Sequence, residues 1–353
     1  MLFVYNSFLG QYSDNPRAIY ERLFDVEAGH AHVWLRGEGH DHAFPEGVDT
    51  VALGTPDSVA ALEAADVVVS NICLEPPWTK RPEAVYLQTW HGTPLKLIHY
   101  DEPSVGPDDD ERLGRDVARW DCLLSPNRAS TARLRSAFRF GGRVVETGYP
   151  RNDVLVAGDR DLRRAAVRAR LGLDDGTRAV LYAPTWRDDE RDALDVPLGL
   201  DVDSFVAGMG EGCSLLVRTH YYMAGRTSWQ ERPGVLDVSG YPDIRDLYLA
   251  ADVLVTDYSS VMFDFAVTGK PMVFYAYDLA HYRDSLRGFY FDLLAEAPGP
   301  VVESLPALLD ALSRPDAMRV RYGDRYDRFR ERYCHLDDGR ATDRAIELLV
   351  PGR

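Results

Sequence analysis

Four short polar clusters in this chain carry residue types that can do chemistry. One is Asp257-Tyr258-Ser259-Ser260, directly before the apolar run Val261–Thr268. Asp257, Ser259 and Ser260 are all N-cap residue types. A helix start presents free N–H groups and the positive end of the dipole, so it is suited to anions. Two adjacent hydroxyls there suit a phosphate, and Asp264, one turn on, can reach a ribose or polyol hydroxyl. The same residues fit a plain serine cap with an exposed aspartate equally well. The other clusters are His91 within Trp90-His91-Gly92-Thr93-Pro94, then Thr185-Trp186-Arg187, then Arg218-Thr219-His220. The set amounts to two histidines, two arginines and a phosphate-suited helix start. No G-x-G-x-x-G, Walker A, H-E-x-x-H or G-x-S-x-G accompanies them.

Each cluster follows a run that reads as a buried strand: Val85–Thr89, Ala179–Tyr182, Ser214–Val217 and Asp252–Thr256. Helical patterns alternate with these and with further strands at Leu2–Tyr5, Ala31–Leu35, Val48–Leu53, Asp66–Ser70, Asp121–Leu124, Val144–Glu146 and Val235–Val238. That alternation means βαβ units and parallel sheets. A chain of 353 residues exceeds one ordinary core, so two domains are expected. The Gly/Pro/Asn cluster Gly148–Asp153 marks the junction, giving domains 1–148 and 149–353, with the terminal helices Leu305–Leu312 and Met318–Tyr333 free to pack back on the first. Ligands of open α/β sheets bind beyond the carboxyl ends of the strands. Clusters from both halves therefore point to a cleft between two domains. Asp101–Arg112 reads as a surface loop, and its run Asp108–Asp110 as solvated rather than metal-binding.

Composition narrows the class. The chain is 45% hydrophobic and 11% aromatic, with net charge −16. This is a folded globular composition, and its acidity argues against nucleic-acid binding and against attachment to anionic lipid by overall charge. Cys73, Cys122, Cys213 and Cys334 form no C-x-x-C and read as reduced thiols of a cytosolic protein. The start MLFVYNSF lacks the basic region and long apolar run of a signal peptide. No stretch approaches the ~20 apolar residues of a membrane span.

Several motifs then resemble one family. They are NSFLGQYSDNPRAIYE at Asn6–Glu21, QTWHGTPLK at Gln88–Lys96, TGYPRND at Thr147–Asp153, YAPTWRD at Tyr182–Asp188 and RTHYY at Arg218–Tyr222. The long stretch Asp237–Pro271, YDLAHYRDSLRGFYFD at Tyr277–Asp292 and DDGRAT at Asp337–Thr342 complete them. In this order, over nearly the whole chain, they resemble the CDP-glycerol glycerophosphotransferases, the teichoic-acid polymerase family. The resemblance implies a GT-B fold, two Rossmann-like domains with parallel sheets facing a central cleft. It implies metal-independent transfer of glycerol phosphate from CDP-glycerol, a donor substrate rather than a cofactor, to a hydroxyl of a lipid-linked or polymeric polyol-phosphate acceptor. CMP is released, and the place of action is the cytoplasmic face of the cell membrane. Ribitol-phosphate transfer and nucleotide-sugar glycosyl transfer on the same scaffold are the alternatives. The oligomeric state is left open.

The resemblance also assigns residues. His91 matches the general base, and Gly92, Thr93 and Pro94 the loop about the donor. Arg151 matches a phosphate contact. Pro184, Thr185, Arg218, Thr219 and His220 match residues lining the donor, with His220 also catalytic on the diphosphate. Ser259, Ser260 and Asp264 complete the nucleotide site. The chemistry is consistent with these roles. An alcohol is a poor nucleophile and needs a base, which an imidazole of ordinary pKa ~6.5 supplies near neutrality. The departing CMP gains negative charge, which arginine and a helix start stabilise.

Overall fold

The computed structural model describes residues 1–26, 29–74, 77–103, 106–185, 187, 198–219, 232–283 and 288–350. The chain divides into two compact units. The first comprises Met1–Thr93, Ile98–Val154 and His335–Arg353, and the second Pro94–Leu97 and Leu155–Cys334. The units are thus not consecutive in sequence, whereas the sequence reading cut the chain once, at 148/149.

The first unit holds a seven-stranded, all-parallel sheet. Its strands are β1 (Leu2–Asn6), β2 (Ala31–Arg36), β3 (Thr50–Ala52), β4 (Val67–Ser70), β5 (Val85–Gln88), β6 (Cys122–Ser125) and β7 (Arg143–Glu146). Their order is β3-β2-β1-β4-β5-β6-β7. The chain winds outward from β1 to β3, returns to the other side of β1 at β4, and continues to β7. That reversal between β1 and β4 is a topological switch point, where open α/β sheets take their ligands. β4 is VVVS, buried at every position. Such uniform apolarity is what a strand covered on both faces requires. One face carries Phe3, Tyr5, Trp34 and Val69 together with Ala345, Ile346 and Leu349 from the far end of the chain. The other carries Val4, Val68, Tyr86, Trp120 and Phe138.

The return of residues 335–350 to this unit has a local chemical basis. Asp153 accepts hydrogen bonds from the backbone N–H groups of Ala341 (3.0 Å) and Thr342 (2.8 Å), so it caps the helix Ala341–Ile346 from 188 residues away. Gly148 sits at φ +76°, and a Cβ there would lie 2.7 Å from the Leu336 carbonyl oxygen. Only glycine fits.

The second unit repeats the plan in six strands: β8 (Arg178–Ala183), β9 (Cys213–Val217), β10 (Val235–Asp237), β11 (Val253–Thr256), β12 (Met272–Tyr275) and β13 (Val301–Val302). The order is β10-β9-β8-β11-β12-β13, again parallel, with the switch point between β8 and β11. Val180, Val217, Val255 and Val273 line one core with Phe205 and Leu308. Two Rossmann-like sheets, as the GT-B class has, are therefore present.

One sequence expectation changes here. The supposed loop Asp101–Arg112 is partly helical, because a helix runs from Pro107 to Val117. Proline at its start is pre-set for a helix. In the helix Arg160–Arg170, Arg163 pairs with Asp246 at 2.8 Å and Arg164 with Asp252 at 2.6 Å.

Candidate active site

In the first unit the candidate residues gather at the β1/β4 switch point. His91 lies just past β5, partly buried. Its Nδ1 is 2.6 Å from the backbone carbonyl oxygen of Asn71, the residue after β4. A carbonyl can only accept, so Nδ1 carries the proton and the neutral ring presents Nε2 with its lone pair. Asn71 is itself fixed, because its side chain accepts from the Phe8 N–H (2.8 Å) and donates to Ser7 Oγ (3.2 Å). The imidazole packs against Trp90 (ring centroids 3.9 Å) and Phe8 (5.3 Å). Burial lowers the His91 pKa below 6.5, Arg151 adds to this, and the Asn71 bond and Asp14 oppose it. A base with a depressed pKa stays unprotonated, and therefore competent, at neutral pH.

The backbone here is strained. Phe8 (φ +48°) and Trp90 (φ +52°) occupy the left-handed region, which bulky side chains avoid. Each costs on the order of 1–3 kcal/mol, a strain that concentrates at functional sites. Gly92 and Thr93 follow, both buried. Pro94 opens the segment Pro94–Leu97, which belongs to the second unit and pairs there with Gly288–Tyr290.

Arg151, a phosphate contact by resemblance, is 4% exposed. Its Nη1 donates to Asp14 Oδ2 (2.9 Å), Asp14 Oδ1 (3.1 Å) and the His91 carbonyl oxygen (2.8 Å). Burial and the Asp14 carboxylate turn this arginine inward. Its neighbours in the same motif are anchors too: Asn152 binds Asp337 (3.1 Å), and Asp153 caps the helix at Ala341.

In the second unit the strand ends β8, β9 and β11 are adjacent. Pro184 and Thr185 follow β8, both buried. The Thr185 N–H donates to Asp257 Oδ1 at 2.8 Å, which bridges the switch point, and its hydroxyl is buried with no partner among the described residues. Asp257 is not a helix cap as expected. Its carboxylate also accepts from the Tyr258 N–H (2.6 Å) and Arg187 Nη1 (2.9 Å). Arg187 reaches on to Asp278 through Nε (2.7 Å) and Nη2 (2.9 Å). This arginine, read as a site cation, is therefore a strut between strand ends. Tyr258 packs on Tyr282 (4.3 Å) as core.

The helix Val261–Val267 begins at Ser260, whose side chain makes no capping bond, while Ser259 Oγ lies 3.5 Å from the Val261 N–H. Capping by the serines is thus weak or absent. Both are partly exposed. Asp264 is 7% exposed in the first turn of that helix. Arg218 ends β9. It donates through Nη1 to the carbonyls of Val238 (2.8 Å) and Tyr241, and forms no ion pair among the described residues. Burial accordingly lowers its pKa from the ordinary arginine value. Thr219 is held by Ser239, N–H to Oγ at 3.0 Å. His220, like Trp186 and Tyr222, lies outside the described residues. No group of three or more His, Cys, Asp or Glu that could hold a metal occurs among the described residues.

The sequence reading missed Asp14, Asn15 and Asn71. Each is an ordinary turn or cap residue by type. Asp14 and Asn15 act on partners 75 or more positions away and Asn71 on His91, 20 positions away, for which local spacing carries no signal.

Comparison with known proteins accords with this geometry. A family model described as CDP-glycerol:poly(glycerophosphate) glycerophosphotransferase matches residues 1–351. The teichoic acid glycerol-phosphate transferase of Staphylococcus aureus (strain NCTC 8325 / PS 47) is 38% identical over 99% of this chain and 92% of its own length. The teichoic acid poly(glycerol phosphate) polymerase of Bacillus subtilis (strain 168) is 36% identical over 98% of this chain. The chain spans only about half (48%) of that relative. The solved structure of the wall teichoic acid polymerase TagF superposes with a TM-score of 0.90 at 34% identity, covering 99% of this chain and 88% of that one. A TagF variant has also been solved after a soak with CDPG. With matching motifs, matching sheets and a model spanning almost every residue, the chain belongs to the CDP-glycerol:poly(glycerophosphate) glycerophosphotransferase family.

Proposed function

We propose that this chain transfers glycerol phosphate from CDP-glycerol to a hydroxyl of a polymeric or lipid-linked polyol-phosphate acceptor in teichoic-acid synthesis, with His91 as general base. The observation that carries the assignment of the base is the bond from His91 Nδ1 to the Asn71 carbonyl oxygen, which leaves Nε2 as the proton acceptor. The acceptor hydroxyl attacks the phosphorus bearing glycerol, and its proton passes to Nε2. The bond from that phosphorus to the bridging oxygen breaks, and CMP leaves with the electron pair. A base of this kind is worth ~10²–10⁴ in rate.

The second unit supplies the donor contacts in this reading. Arg218 is a partly buried cation held by carbonyls, and a diphosphate would give it a direct ionic partner. The N–H groups of Ser259 and Ser260 make no hydrogen bond among the described residues and suit a phosphate oxygen. The unpartnered Thr185 hydroxyl suits the donor as well. His220 keeps the diphosphate role that the resemblance gives it. We assign no metal or cofactor. A nucleotide-activated donor is a cytoplasmic metabolite, so we place the reaction at the cytoplasmic membrane face. Among the described residues no helix is long and apolar enough to cross a membrane.

A donor panel tests the reading. CDP-glycerol at 100 times its Kd is expected to stabilise the native protein by about 2.7 kcal/mol, and to release CMP when a glycerol-phosphate oligomer is added. Stabilisation and turnover with CDP-ribitol alone would move the assignment to ribitol phosphate. A response to UDP- or GDP-sugars alone would refute it.

A further inference from the structure

Among the described residues, five that are not glycine have positive φ; two of them pack on one imidazole and two more reach it through a single intermediate residue. Phe8 packs on the His91 ring, Trp90 precedes and stacks on it, and His99 packs on Trp90 (5.3 Å). The fourth is Asp14, at φ +63°. Asp14 does not touch His91. It reaches it through Arg151, whose Nη1 is shared between the Asp14 carboxylate and the His91 carbonyl oxygen. The next residue, Asn15, works in parallel. Its side-chain oxygen accepts from the Arg151 N–H (3.1 Å), and its nitrogen donates to the Trp90 carbonyl (2.9 Å). Both carbonyls that flank the His91 backbone are therefore held by a unit that Asp14 begins, while the Asn71 carbonyl holds the ring at Nδ1.

We propose that Asp14 is a positioning residue for the transfer reaction, acting through Arg151 to fix the His91 backbone so that Nε2 points to the acceptor hydroxyl. The proposal rests on the reading of His91 as base. A pair serving only as a tie between residues 14 and 151 has no need to share one guanidinium nitrogen with the base's own carbonyl. Nor does it need a left-handed residue in a cluster of strained ones. The side chains of Asp14 and Arg151 are 10% and 5% exposed, so their charges act on the ring with little screening. Among the described residues they are the charged groups that bear on it, Asp14 favouring the imidazolium and Arg151 opposing it. Phe8, Trp90 and the Asn71 carbonyl also contact the ring, and none of them titrates.

The test measures kcat, the KM for CDP-glycerol and the pH dependence of kcat in Asp14→Asn, Arg151→Met, the double variant and His91→Ala. Folding is checked by circular dichroism. In Asp14→Asn, kcat is expected to fall between about 10- and 10²-fold, the scale of a small misplacement of reacting groups. KM should hold within about two-fold, and the acid limb of kcat should move to lower pH, because Arg151 then acts on His91 unopposed. Arg151→Met should move that limb to higher pH. The double variant removes both buried charges at once, so it decides the matter if Asp14→Asn does not fold. It should show a low kcat with an acid limb near that of the wild type. A folded Asp14→Asn or double variant with wild-type kcat, beside an inactive His91→Ala, overturns the proposal alone. A fall in kcat with no movement of either acid limb reduces the pair to a structural tie and also overturns it. Retained turnover in His91→Ala takes down the base reading and this proposal together.

Discussion

Replacing His91 with alanine separates chemistry from binding and stability, because the structure lets each loss be sized. The truncation removes one hydrogen bond, Nδ1 to the Asn71 carbonyl, worth about 1 kcal/mol. It also removes the contacts with Trp90 and Phe8, at about 0.5–1.5 kcal/mol each. The total is about 2–4 kcal/mol. At ~2.1 cal/mol/K per residue over 353 residues, the melting temperature falls by only about 3–5 °C. The variant therefore stays folded at assay temperature. Its rate should fall by ~10²–10⁴, equivalent to about 2.7–5.5 kcal/mol of barrier. Donor affinity, read by calorimetry, should stay within a few-fold, since the proton moves only in the transition state. The wild-type profile supplies a second reading. The imidazole must be neutral to act, and its pKa lies below 6.5, so the acid limb of kcat/KM should fall below pH 6.5. CMP release from CDP-glycerol, followed across pH with a fixed acceptor, gives both. Turnover near the wild-type level in folded His91→Ala, or an acid limb well above pH 6.5, would refute the reasoning.

Ser259→Ala combined with Ser260→Ala should weaken donor binding while changing unfolding free energy by less than about 1 kcal/mol, because neither hydroxyl makes a short capping bond. Unchanged affinity by calorimetry would remove the serines from the donor site. Arg218→Ala should weaken CDP-glycerol binding by about 10-fold or more, as one charge-assisted contact is worth about 1.5–3 kcal/mol; an unchanged Kd in the folded variant refutes the contact. Asp116 binds Trp120 Nε1 (2.8 Å) and is pushed up by burial from 3.8 to about 6. The folded protein then holds this proton more tightly than the unfolded chain, so the contribution to stability falls as pH rises from 3.8 to 6, by about 3 kcal/mol. Asp116→Asn lacks that slope. In urea titrations its stability relative to the wild type should therefore rise between pH 4 and 7, and a pH-independent difference counts against the burial argument.

Much of the architecture was legible because parallel strands buried on both faces announce themselves as apolar runs. Val67–Ser70 and Val253–Thr256 stand where VVVS and VLVT predict strands; Arg218 directly follows a strand and His91 lies just past one. The helix Pro107–Val117 was missed although its signals were present: Pro107 at the first position, followed by Asp108–Asp110. An acidic run reads as solvated loop unless the dipole is considered. The ion pairs of Arg151 and Arg187 were not legible. Both look like cations for a ligand, and both pair with carboxylates far along the chain, at Asp14 and at Asp257 and Asp278. Nothing in sequence spacing marks an ion pair that spans 137 positions.

The first unit's discontinuity bears on synthesis as well as structure. A ribosome delivers residues 1–154 first, then 155–334, which make up nearly all of the second unit. Only afterwards come Ala345, Ile346 and Leu349, which fill the same core face as Phe3, Tyr5 and Trp34. A buried Ile or Leu contributes about 1.5–3 kcal/mol, a large share of the 5–15 kcal/mol that holds a typical domain together. The half of the protein that emerges first is thus the last that can be finished. Until its closing helix arrives, an apolar face of β1 and β2 is left open on the nascent chain, where such surfaces aggregate. A messenger cut short near codon 335 would yield a complete second unit attached to a first unit that cannot close.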